Sequence, residues 1–193
     1  EEVMNKRIFD VLGALVLLVI VLPFTPFIVA WIKATSPGPI IFWQERVGYR
    51  GKSFTIFKFR TMRHQSGGRA IDIVRSGDDR ITAAGRFLRK THIDELPQLI
   101  NVLLGQMSLI GPRPHSLALF EDRVRRVPRY ALRFEVLPGL TGLAQLYGRE
   151  WSLSRGPHCT LRLELFYIKH RCIWMDIYIL SRTVGVVLRG EGV

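Results

Sequence analysis

The apolar positions form one long block near the N-terminus, followed by shorter alternating and helical stretches. From Val11 to Ile32 the only polar side chain is Thr25. About 20 consecutive apolar residues suffice for a helix to cross a hydrocarbon core, so the block predicts a membrane helix. It is too long for the apolar part of a secretory signal, and no small-residue cleavage site follows it. Pro23 stands near its middle and Pro26 one turn on. Proline lacks a backbone N–H and clashes with the preceding turn, so it bends or breaks a helix. Two paths stay open: a kinked helix that spans the bilayer, or one that enters, bends at Leu22-Pro23 and returns to the same face. Lys6 and Arg7 before the block and Lys33 after it set no orientation. They suit a segment whose two ends both meet an anionic leaflet.

Beyond Ala34 the pattern shortens. Thr35 to Pro39 is a loop and helix stop. Ile40 to Trp43 and Ser53 to Arg60 predict the strands of a β-hairpin around the turn residues Gly48 to Gly51. In the second strand Phe54, Ile56 and Lys58 share one face, and Thr55, Phe57 and Phe59 the other. His64 to Asp79 reads as a polar, mobile loop. Helices are expected over Ile81 to Lys90, Pro97 to Leu104 with a stop at Gly105, and Ser116 to Val127. Gly111 to Pro114 and Pro138 to Gly142 read as rigid loops. Two apolar, basic-flanked helices close the chain, near Thr160 to His170 and Ile173 to Leu188. Trp31, Trp43, Trp151 and Trp174 are candidate interfacial anchors.

Composition narrows the class. The 193 residues suggest one domain. A formal net charge of +12 predicts attraction to anions, whether nucleic acid, acidic lipid or phosphorylated substrate. A hydrophobic content of 48% favours a membrane surface over nucleic acid, and no nucleic-acid-binding motif is present. Cys159 and Cys172 fit no metal or redox spacing and read as reduced thiols.

The stretch from Arg89 to Leu99 holds the candidate chemistry. Pro97 is tolerated only in the first turn of a helix, so Asp94 and Glu95 lie at or just before a helix N-terminus. Neighbouring helical side chains diverge by about 100°, so one acid can face a phosphorus while the other faces a second group. The helix dipole and the charges of Arg89 and Lys90 favour anions here. A simpler reading competes: Thr91-x-x-Asp94 also fits a capping box, and Asp94 alone fits an N-cap.

From about Lys6 to Leu188 the chain resembles the bacterial sugar transferase family, the monotopic phosphoglycosyl transferases. Its motifs occur in order: Lys6-Arg7-Ile8-Phe9-Asp10, Gln44 to Gly48, Phe57 to Met62, Asp79 to Thr82 and Gly85 to Lys90. Asp94 to Leu99, Asn101 to Leu103, Met107 to Pro114, Pro138 to Gly142 and Gly148-Arg149 complete the series. Each piece is weak alone; their order and spacing together are specific.

The resemblance implies an α+β, mainly helical fold: a re-entrant N-terminal membrane helix over 1–35, bent near Leu22-Pro23, and a catalytic domain over 36–193 with a small β-hairpin and amphipathic interfacial helices. It places the catalytic domain at the cytoplasmic face of the bacterial inner membrane, against anionic phospholipid. It implies transfer of a sugar 1-phosphate from a UDP-sugar to polyprenol (undecaprenyl) phosphate, with release of UMP. Such a step initiates assembly of an exopolysaccharide, O-antigen, capsule or glycoprotein glycan. Asp94 becomes the nucleophile and Mg²⁺ ligand, and Glu95 activates or positions the acceptor. Arg89 and Arg113 are the favoured phosphate binders, since guanidinium matches phosphate in bidentate fashion. Lys58, Arg60, Arg86 and Arg149 are further candidates, and Tyr147 to Pro157 is a guess for the sugar contact. The chain departs from the family pattern at Leu22, where a small polar residue often precedes the bend proline. It departs again at Leu104 and Gln106, where the family carries a lysine and an acid.

A basic membrane-anchored adaptor without chemistry is the alternative, in which the acid pair merely caps a helix. A homo-oligomer stays open. So does the choice between a complete small enzyme and the catalytic core of a larger one.

Overall fold

The computed structural model describes residues 2–63, 78–147 and 157–189. The apolar block folds as α1 (Glu2–Val21), a single 3-10 turn (Leu22–Phe24) and α2 (Thr25–Thr35). Pro23 and Pro26 each sit in the first turn of their segment, where a missing N–H removes no hydrogen bond of that segment. The 3-10 turn sends the Thr25 amide to the Leu22 carbonyl. The Thr25 hydroxyl takes the Val21 carbonyl, at 3.3 Å. Thus the hydroxyl that Leu22 cannot supply before the proline arrives from the residue after the turn.

Both ends of this segment are seated on the rest of the protein. On α1, Ala14 is fully buried against the main core, and Arg7 donates to the carbonyls of Val102 and Leu103 at 2.7 and 3.0 Å. Asp10 accepts from the Ser108 hydroxyl and the Leu109 amide. Lys6 pairs with Asp176 at 2.6 Å. On α2, Ile32 is buried with Phe59 and Leu88, and Trp31 lies against Phe87. Between these anchors Val19, Leu22, Phe24 and Phe27 are 60–75% exposed. Met4–Thr35 is long and apolar enough to cross a membrane, by length and composition.

The hairpin is longer than its pattern predicted. Strand β1 (Ile41–Val47) pairs antiparallel with β2 (Ser53–Phe59), from Ile41↔Phe59 to Val47↔Ser53. Gln44, Glu45 and Arg46 lack alternation; the partner strand, rather than their own pattern, holds them extended. The connecting turn uses left-handed Arg50 and Gly51, with φ of 53° and 76°. Both faces of β2 are covered, Ile56 by the main core and Phe59 by the α2 contact. On its unpaired edge, the Asn101 side chain donates to the Thr55 carbonyl (2.7 Å) and accepts from the Phe57 amide (3.4 Å).

Helix α3 (Ala83–Lys90) precedes a 3-10 segment (Ile93–Gln98) that runs into α4 (Leu99–Leu103). Two further strands were not expected. β3 (Ser108–Ile110), a stretch given no element, pairs in parallel with β4 (Gly139–Thr141), which lies in a segment read as a loop. Three residues are too few to show an alternating pattern. Glycine makes the contact: a Cβ on Gly139 would lie 2.0 Å from the Gly111 nitrogen. Helix α5 (Leu117–Arg126), N-capped by Ser116, a 3-10 segment (Tyr130–Glu135), a helical stretch over 143–147, α6 (Pro157–His170) and α7 (Ile173–Arg189) complete the described fold. It is α+β and mainly helical, as expected. Trp31, Trp43 and Trp174 are 42%, 63% and 76% exposed. Trp151 and the loop expected over His64 to Asp79 lie outside the described residues, except Asp78 and Asp79.

Candidate active site

The site begins with the way α3 is held. Thr82 caps it, its hydroxyl accepting from the Gly85 amide at 2.9 Å. Gly85 faces the main chain of Thr61 so closely that a Cβ would lie 1.9 Å from the Thr61 carbonyl oxygen. Arg89, one turn along the same face, donates from Nε to the Thr61 hydroxyl at 2.9 Å. One glycine contact and one hydrogen bond thus fix where the Arg89 guanidinium stands.

The chain then reverses. The Thr91 hydroxyl turns back to the carbonyls of Phe87 and Leu88 at the end of α3. His92 adopts a left-handed conformation, with φ of 56°. A non-glycine residue there carries strain, which surrounding structure must hold. Asp94 and Glu95 follow in the first turn of the 3-10 segment. The capping reading does not survive: the N-cap position belongs to His92, no side chain caps the segment, and Thr91 serves the preceding helix.

Both acids are 8% exposed, yet their surroundings differ. Glu95 is clamped: Lys58 on β2 reaches Oε1 at 2.6 Å, and Arg113 reaches Oε1 and Oε2 at 2.5 and 3.2 Å. Burial alone would raise its pKa. The charges and hydrogen bonds of Arg113 and Lys58 outweigh burial and hold Glu95 well below the usual carboxylate range. No ion pair or hydrogen bond from a described residue holds the Asp94 carboxylate. Burial and the neighbouring Glu95 charge raise its pKa to about 6, against a pull downward from Lys58, Arg89 and Arg113. The result is a desolvated carboxylate with open lone pairs, facing cations drawn from β2, α3 and the Gly111–Pro114 loop. Such a group can attack an electrophile or share a cation, and the cations can hold phosphate oxygens. Among the described residues no group of three or more His, Cys, Asp or Glu is arranged as a protein-only metal cage.

The remaining candidates scatter. Arg60 is buried, and its guanidinium donates to the carbonyls of Ser36 and Pro37 at 2.6 and 2.9 Å. It staples the end of α2 to β2, instead of facing the acid pair. Arg86 lies exposed on α3, one turn before Arg89. Arg149 lies outside the described residues, as does most of the stretch guessed for sugar contact. Sequence reasoning gave no role to Thr61, which sets Arg89, or to Asn101, which braces the strand carrying Lys58. Asn101 is fully buried. A lone amide within an apolar helix, Leu-Ile-Asn-Val-Leu, is the sequence signal that could have found it.

The profile of the family described as bacterial sugar transferase matches residues 1–190. The chain belongs to the bacterial sugar transferase family. The transferase is 42% identical to a Caulobacter vibrioides protein named UDP-glucose:undecaprenyl-phosphate glucose-1-phosphate transferase, covering 96% of this chain and 70% of that one. An Aeromonas hydrophila protein named UDP-N-acetylgalactosamine-undecaprenyl-phosphate N-acetylgalactosaminephosphotransferase is 37% identical, over 97% of this chain and 44% of its own. With a Rhizobium leguminosarum exopolysaccharide production protein the identity is 39%, over 99% of both chains. The transferase therefore spans under half of one of these relatives and nearly all of another. Membership in a family of transferases sets aside the adaptor without chemistry.

Proposed function

We propose that this transferase moves a sugar 1-phosphate from a UDP-sugar to undecaprenyl phosphate, through a covalent intermediate on Asp94. The observation that carries the reading is the contrast within the acid pair: Glu95 is locked by Lys58 and Arg113, while Asp94 is buried beside the same cations with its oxygens open. The names of the relatives supply the substrate class.

One Asp94 oxygen attacks the β-phosphorus of the donor. The bond from that phosphorus to the bridging oxygen breaks, and UMP leaves with the oxygen. The sugar phosphate remains as an acyl phosphate on Asp94. A phosphate oxygen of undecaprenyl phosphate then attacks the same phosphorus, the acyl–phosphate bond breaks, and the Asp94 carboxylate is restored. The product is an undecaprenyl diphosphate sugar. Two steps let two bulky substrates use one site in turn. Arg89 and Arg113 offset the charge of the diphosphate against the attacking anion, the main electrostatic demand of phosphoryl transfer. Glu95 keeps Lys58 and Arg113 in place and leaves Asp94 as the reacting acid.

Asp94, the acid left without an ion pair among the described residues, would hold a magnesium ion, which needs only one or two carboxylates and no protein-only cage. Bound there, it supplies positive charge to the phosphate oxygens. We place residues 1–35 as a re-entrant segment bent near Pro23, with the catalytic domain on the cytoplasmic face of the inner membrane. The seating of both α1 and α2 on the same body, with apolar side chains exposed between, supports that placement.

The test combines UMP release across a panel of UDP-sugars in Mg²⁺ with intact-mass detection of the protein. A donor that releases UMP leaves the mass of its sugar phosphate on the wild type. Asp94→Asn loses both signals and keeps its membrane association. UMP release that survives Asp94→Asn rejects the mechanism.

A further inference from the structure

Arg113 projects a half-exposed guanidinium to Glu95, and its main chain is held from beneath by a buried ion pair outside the reacting site. Arg133, in the 3-10 segment after α5, and Glu164, on α6, meet at 2.5 Å with side chains 0% and 4% exposed. Arg133 Nη2 also donates to the Arg113 carbonyl at 2.7 Å, and the Arg113 amide lies on the Glu164 side, where its dipole favours the charged carboxylate. The other Arg133 nitrogen, Nη1, donates to the Tyr130 hydroxyl at 2.7 Å and to His115 Nδ1 at 2.5 Å.

The Arg113 carbonyl is thus held by one half of the ion pair, and its amide faces the other. The sequence explains the need. Residue 113 stands between Pro112 and Pro114, neither of which has an N–H, so Arg113 offers the single amide donor of that tripeptide. The proline after it favours extended backbone, which leaves the amide outside helical bonding. Burying two charges is costly, and apolar residues often stabilise such a position as well or better. A purely structural brace therefore has little use for this pair, whereas a mount for the main chain of one residue needs a donor toward its C=O and an acceptor toward its N–H.

We propose that Arg133 and Glu164 are positioning residues that set the placement of Arg113 for donor binding and transfer. This rests on the function proposed above.

The test is a double-mutant cycle on kcat/KM for the UDP-sugar, with Arg133→Lys and Glu164→Gln each made in the wild type and in Arg113→Ala. Lysine keeps the charge but cannot fork between Arg113, Glu164 and Tyr130. In the wild type each substitution lowers kcat/KM on the order of 100-fold, the cost of a small misplacement at a reacting centre. In Arg113→Ala the same substitutions change it less than about threefold, because the residue they act through is already gone. An equal loss in both backgrounds, or wild-type kcat/KM in a folded variant, overturns the proposal. If Arg133→Lys does not fold, Glu164→Gln, which keeps the side-chain shape, carries the same cycle. Hydrogen exchange of the Arg113 amide is read in parallel and needs no turnover: it accelerates in both variants. Unchanged exchange in both overturns the mount, even where no UDP-sugar is turned over and the reaction assignment itself has failed.

Discussion

Replacing Asp94 by asparagine separates the demands of chemistry from those of folding. In the folded protein the Asp94 pKa is raised from 3.8 to about 6 by burial and the Glu95 charge. At 1.36 kcal/mol for each pH step, that gap makes the ionised form about 3 kcal/mol less favourable than the same group in the unfolded chain. The sign follows from proton binding. Between pH 4 and 6 the folded state holds the proton more tightly, so stability falls as pH rises through this window. Above the folded pKa the loss is complete. Asparagine never ionises and avoids it. Asp94→Asn is therefore expected to be more stable than the wild type by up to about 3 kcal/mol at pH 8, and nearly equal to it below pH 4. For a domain of this size that is a rise in Tm of roughly 6–12 °C. The assay is thermal unfolding in detergent or nanodiscs, with chelator and without donor, at pH 4, 6 and 8. A variant at pH 8 with the wild-type midpoint or a lower one refutes the reasoning. It would mean that the carboxylate is solvated or paired, and not a strained anion held for reaction.

Other expectations follow from the same geometry. The acid limb of kcat/KM falls at or below about pH 6, because cations at Asp94 can only lower its pKa; a limb above pH 7 contradicts Asp94 as the attacking anion. Lys58→Met strips one cation from Glu95 and one from the surroundings of Asp94. It lowers kcat/KM about 100- to 1,000-fold, the range for losing an electrostatic stabiliser, and moves the acid limb upward. An unmoved limb means that Lys58 does not bear on Asp94. Gly85→Ala pushes a Cβ to within 1.9 Å of the Thr61 carbonyl unless α3 shifts. It costs about 1–3 kcal/mol of stability and disturbs Arg89, so a normal Tm with normal activity shows the contact to be looser than described. Thr25→Val removes the hydroxyl from the Val21 carbonyl. Losing that bond in an apolar setting costs about 1–3 kcal/mol, read as a lower Tm in nanodiscs; an unchanged Tm shows the hydroxyl to be idle.

Periodicity made some of this protein legible without coordinates. The apolar block, the two prolines inside it, the hairpin and the amphipathic helices each carry their information within a few neighbouring residues, where side-chain spacing and backbone sterics act. The position of Asp94 and Glu95 near the start of a helical segment follows from Pro97 in the same local way. What the acids do to each other does not. Lys58 and Arg113 stand 37 and 18 residues from Glu95, and nothing in their own surroundings says that they converge on it and leave Asp94 open. Arg60 stands as a further phosphate candidate behind Arg89 until tertiary structure turns one to backbone carbonyls and the other to Thr61. Strands β3 and β4 are invisible for a similar reason: three residues hold no period, and their pairing depends on two distant glycines close enough to touch. Local sequence determined which elements form, because their energetics are set by near neighbours. Only the tertiary structure decided which charges meet, because desolvation and pairing depend on long-range packing.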